Sequence, residues 1–120
     1  MATKFVNKRR NLKDTAFSNY DVANTLVGTL TALESNKGHV LIGCSVANIH
    51  TATVTIDVAL IADASPDVIT YIAKGVSVPV GGNVELISGK IVIDSDTLRI
   101  HARCSVDTKA DIIVSVLENA

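Results

Sequence analysis

The residues of this chain that could do chemistry are few: His39, His50, His101, Cys44, Cys104 and the Asp94-x-Asp96 pair. No histidine stands two or four residues from another, and the cysteines are sixty positions apart, so neither the helical His-x-x-x-His nor the CxxC pattern of a zinc site is present. Asp94-Ser95-Asp96 begins like a calcium loop but lacks the further acids, the central glycine and the distal glutamate that complete one, so it reads as a turn. There is no G-x-S-x-G elbow, no G-x-x-x-x-G-K-[ST] phosphate loop and no G-x-G-x-x-G turn. The sequence therefore predicts no catalytic residue, no metal and no cofactor, and the chain reads as something other than an enzyme. Cys44 and Cys104 lie in apolar runs and read as buried thiols, with a disulfide between two strands as the alternative.

Two basic groupings remain. Lys4, Lys8, Arg9, Arg10 and Lys13 crowd the first fourteen residues against Asp14 alone, a net of +4, and with −1 over the whole chain the remainder stands at −5. Residues 1–19 show no sustained period and are expected to form an extended basic arm ahead of an acidic body at 20–120. In a partner contact Phe5 and Val6 would anchor the arm, and its cations would supply steering and register. A solvated tail is the plainer alternative. On that reading of the arm, removing residues 2–14 should leave a folded domain. The second grouping, Arg99, His101 and Arg103, alternates along one strand, as a solvated edge guard or as a face for an acidic neighbour.

The elements that must position these residues are strands. Apolar residues make up 48% of the chain, aromatics only 3% and Trp is absent, so the core has to be built from Val, Ile, Leu and Ala. His39 to Asn48 alternates, with Val40, Ile42, Cys44 and Val46 expected inward and Leu41 outward. Thr53 to Leu60 alternates most cleanly, with Val54, Ile56, Val58 and Leu60 inward. Tyr20 to Leu33 fits either period; a strand at about 25–33 is favoured over a short helix at 20–26. Asp63 to Asp67, with Pro66, reads as a loop before extended structure at 68–73. Tyr71 to Ile100 reads as a β-meander, its first reversal made by Pro79, Gly81 and Gly82. Leu98 to Cys104 and the closing Asp111 to Glu118 complete seven or eight short strands, the pattern of an antiparallel, jelly-roll-like β-sandwich. Leu41, Ile113 and Leu117, expected outward, would form apolar patches that another copy could cover.

The order YIAK-x-V-x-VP-x-G-G-x-V-E-L-x-x-GK-I-V-I, followed by D-x-LR and a closing VSVLE, resembles small β-sandwich virion proteins of tailed bacteriophages, over roughly Thr25 to the C-terminus. Lys37-Gly38-His39-Val40 and Asn48 also stand where that pattern has them, whereas Asp94-Ser95-Asp96 departs from the glycine expected before the aspartate. The resemblance implies a structural protein of the virion, assembled in the host cytoplasm. Within that class it is expected to be a capsid decoration (cement) subunit, with a neck, collar or tail component as the alternative. A host- or glycan-binding sandwich is a more distant alternative. Its partners would be copies of itself, as a homotrimer or other cyclic oligomer, and the major capsid protein or another virion protein. The near-neutral net charge argues against nucleic acid, no apolar run is long enough for a membrane helix, and the charged N-terminus lacks the apolar run of a secretory signal.

Overall fold

The computed structural model describes residues 4–12, 33–62, 65–95 and 98–120. The described residues form eight strands and no helix: β1 (Lys4–Asn11), β2 (His39–Asn48), β3 (Val54–Ala62), β4 (Ser65–Val78), β5 (Asn83–Glu85), β6 (Ile91–Ile93), β7 (Leu98–Cys104) and β8 (Ala110–Glu118). They make two antiparallel sheets. The first runs β1-β8-β2-β5, with β6 also pairing β2 beside β5; the second runs β4-β3-β7. The sheets pack face to face as a β-sandwich, as the alternating sequence predicts.

The core is aliphatic. β2 contributes Leu41, Cys44 and Val46, β3 Val54, Ile56 and Val58, β7 Ile100, Ala102 and Cys104, and β8 Ile112, Val114 and Val116, all buried in one cluster with Leu12 and Val78. Since one side chain in two points inward along a strand, four strands of alternating Val, Ile, Leu and small residues fill the space between the sheets without aromatic rings.

Four expectations need correction. Residues 71–100 are not a meander: β4 ends in the second sheet, β5 and β6 lie in the first, and β7 returns to the second. A meander and a sheet-to-sheet crossing have the same local signature, an apolar run, a turn and another apolar run, and only partner choice separates them. Pro66 is inside β4 rather than in a loop, since Ser65 already pairs with Ala62. β4 is an edge strand of its sheet, where a missing amide is tolerated. Residues 4–11 are extended as expected, but they form an outer strand of the first sheet, paired with β8 from Lys4↔Glu118 to Asn11↔Asp111. The segment therefore belongs to the sandwich, and with Leu12 fully buried its removal would open the core. In β2 the alternation breaks: Leu41 faces Val116 and Gly43 faces Ser115, leaving Ile42 as an extra residue. This bulge turns Leu41 into the core and Val40 and Ile42 out of it, while Cys44 and Val46 stay inward as predicted. The expected strand at 25–33 (all but Leu33, which is in no strand), its helical alternative at 20–26 and the proposed boundary at residue 19 lie outside the described residues.

The reversal after β4 is as predicted. Gly82 N–H donates to Pro79 O at 2.9 Å and Gly81 adopts φ 71°, the arrangement of a type II turn, which requires positive φ at its third position.

Candidate functional site

The outer face of the first sheet holds the strongest feature of the surface. On β1 the inward side carries Val6, which packs against the core, and Lys8, 7% exposed, whereas Phe5 and Arg9 point outward. Register then carries the face across the sheet. Phe5 pairs with Leu117, Leu117 with Val40, and Val40 with Val92, so one apolar row crosses β1, β8, β2 and β6. Phe5 is 74% exposed and Val92 53%, while Leu117 and Val40 are half-buried between them. Four residues along, a second row runs Arg9, Ile113, Ser45, Glu85, opening with a cation on β1 and closing with an anion on β5. Ile113 is 46% and the bulged Ile42 39% exposed. These exposed apolar side chains form one continuous patch on the sheet.

Several polar side chains of this sheet are engaged locally. Ser115 Oγ donates to Asn7 Oδ1 at 2.7 Å, and Asn11 Nδ2 donates to Asp111 Oδ1 at 2.8 Å. Glu85 Oε1 accepts the Cys44 N–H at 2.5 Å. Burial, with the Glu85 charge adding to it, pushes the Cys44 thiol up from 9.0 to about 12. Cys44 and Cys104 are both free and buried, which makes them packing residues of the core.

The predicted arm contacts are thus divided by the pleat. Phe5 and Arg9 stand outward and Lys4 is exposed with its Nζ 4.0 Å from Glu118 Oε1, but Val6 and Lys8 turn into the protein. Arg10 pairs through its backbone with Ile112, and Lys13 lies outside the described residues.

Arg99, His101 and Arg103 do share the outer face of the second sheet, opposite Ile61, Ala59 and Asp57 of β3. They are not a row of free cations, because each already has an interaction partner within the chain. Arg103 Nε donates to Asp57 Oδ2 at 2.7 Å, and its Nη2 reaches Tyr71 Oη at 3.4 Å. Asp57 Oδ1 also accepts the Gly75 N–H at 2.6 Å, where positive φ at Gly75 marks a bulge between β3 and β4. Lys74 Nζ sits 5.0 Å from the centre of the Tyr71 ring. This network ties all three strands of the second sheet together, so it reads as structure. Among the described residues no group of three or more His, Cys, Asp or Glu side chains is placed to hold a metal ion.

The sequence reading missed Val40, Ile42 and Val92 as outer-face residues. Gly43 was the available signal, since a glycine inside a strand often marks a bulge or a close approach. No model of a known protein family matches the chain, and no curated protein matches it either.

Proposed function

We propose that the protein is a structural subunit of a tailed-bacteriophage particle, a head decoration (cement) protein that binds the capsid shell and stiffens it. The observation that carries this reading is the apolar row Phe5, Leu117, Val40 and Val92, spread over four hydrogen-bonded strands and backed by a fully packed core. A face held by hydrogen-bonded strands loses little conformational entropy on binding and suits assembly at many identical sites. Lys4, exposed at the end of the outer strand, adds a cation that fits an acidic shell surface and would make attachment weaken with salt. The resemblance to small virion sandwich proteins, over roughly Thr25 to the C-terminus, supports the same role.

The test is mass spectrometry of purified particles together with a cryo-EM map of them. The chain should be present in fixed stoichiometry, with density for the sandwich on the head lattice. Density at the neck or tail would replace the cement role by a connector role. A chain abundant in infected cells but missing from purified particles would overturn the reading.

A further inference from the structure

We infer that the outer face of the first sheet binds the same face of a second copy of this chain, about a two-fold axis lying in the interface and running close to the strand direction. The inference deepens the proposed function and rests on that face being the working surface: the apolar row is covered by a second copy, and the assembled pair meets the shell through its remaining surfaces.

Its basis is the distribution of residues across the sheet. An in-plane axis along the strands, passing between β8 and β2, keeps each row in place and exchanges its two ends. Phe5 of one copy then meets Val92 of the other, Leu117 meets Val40, and Arg9 meets Glu85. All four apolar residues of the first row find apolar partners. The two charged ends of the second row find opposite charges, twice over in the dimer. The other in-plane axis, perpendicular to the strands, would stack Phe5 on Arg9 and Val92 on Glu85 when midway between the rows, and would leave Arg9 and Glu85 without partners when placed along the first row, so charge complementarity selects the first arrangement. The twist of stacked sheets tilts them by about 30°, an offset that the long Arg9 side chain can span.

The area is sufficient. Four strands, eight residues long in β1, present roughly 19 by 27 Å at ordinary strand spacings. Burying that face on both copies removes on the order of 1,000 Å² in total, the threshold for a specific interface.

The experiment is sedimentation equilibrium on the full chain, with circular dichroism and melting to confirm that each variant folds. Wild-type protein should dimerise reversibly. Arg9→Glu alone sets a second carboxylate against Glu85, and Glu85→Arg alone sets a second guanidinium against Arg9, so each should raise the dimer Kd by roughly tenfold or more. Mixing the two variants restores both ion pairs in a heterodimer, and the doubly substituted R9E/E85R chain restores them in a homodimer. Glu85 also bonds the Cys44 amide, so Val92→Lys, which leaves that bond intact, should break the dimer independently. Recovery of association in the mixture supports the inference. A wild-type chain that stays monomeric at several hundred micromolar, or single variants that dimerise as well as wild type, would overturn it. The two readings fail separately: a monomeric chain still found in particles removes the self-contact alone, and a dimer absent from particles removes the virion role alone.

Discussion

Asn48 shows how one polar side chain can join two sheets. Its Nδ2 donates to Val78 O at 2.9 Å and Ala52 O at 3.0 Å, its Oδ1 accepts the His50 N–H at 2.7 Å, and its own amide donates to Gly82 O at 3.0 Å. The end of β2, the crossing loop and the end of β4 all meet there, in a position only 5% exposed. Asn48→Ala should cost roughly 2–3 kcal/mol, because it leaves buried carbonyls without donors. Urea unfolding would show this as a lower midpoint at unchanged slope, and a change below about 0.5 kcal/mol would refute it. Cys44 makes a second prediction. With its thiol held at about 12 in the folded protein against 9.0 ordinarily, the unfolded chain ionises first as pH rises. The stabilisation is therefore complete below about pH 9 and is lost toward about pH 12. Wild type should lose its advantage over Cys44→Ala across that window, and native Cys44 should resist alkylation until the chain unfolds.

Among the elements, β1 carries the largest revision. Its eight-residue ladder with β8, the buried Leu12 and the clamp that follows make it integral. Leu12 N–H donates to Ala110 O and Leu12 O accepts the Thr108 N–H, both at 2.8 Å, while Asn11 Nδ2 donates to Thr108 O at 3.0 Å. Leu12→Ala should cost about 2–5 kcal/mol, and deleting residues 2–14 should give a chain that melts far lower or does not fold. Unchanged melting of the deletion would restore the picture of a dispensable arm. The same clamp holds Thr108 at φ 64°, a left-handed conformation unfavourable for a β-branched residue. Thr108→Gly should stabilise the protein by about 1 kcal/mol, read as a rise in melting temperature; a fall would mean that the hydroxyl bond to Asp107 O outweighs the strain.

At the level of the whole molecule, stability rests on apolar burial between two sheets and on polar links such as Asn48 and the Asp57–Arg103 pair. Chelator should therefore leave the melting temperature unchanged, and a marked drop on adding EDTA would point to a bound metal. The C-terminus is tied in by the same means. Asn119, 1% exposed and at φ 53°, donates from its amide to His39 Nδ1 at 3.2 Å, and its Oδ1 accepts the Glu34 N–H at 3.0 Å. Ala120 N–H reaches Gly38 O at 2.8 Å, so a tag fused directly to Ala120 should be tolerated less well than one carried on a flexible spacer. Melting curves of the two fusions would measure this.

Composition and alternation were enough to establish an all-β chain, an aliphatic core, buried thiols and the inward set Val54, Ile56 and Val58, because each follows from period-two patterning and side-chain type. The Pro79 to Gly82 turn was legible for the same local reason, its φ requirement being written in Gly81. Partner choice was not legible. That β5 and β6 flank β2 while β7 flanks β3, and that residues 4–11 close the first sheet along β8, depends on contacts between residues far apart in the chain. The Ile42 bulge had the largest consequence. One unpaired residue reversed the inward and outward sets at the start of β2, buried Leu41 and brought Val40 into line with Phe5, Leu117 and Val92. Strand periodicity sets which residues can share a face, but the register between strands decides which faces become continuous, and register is a property of the assembled sheet.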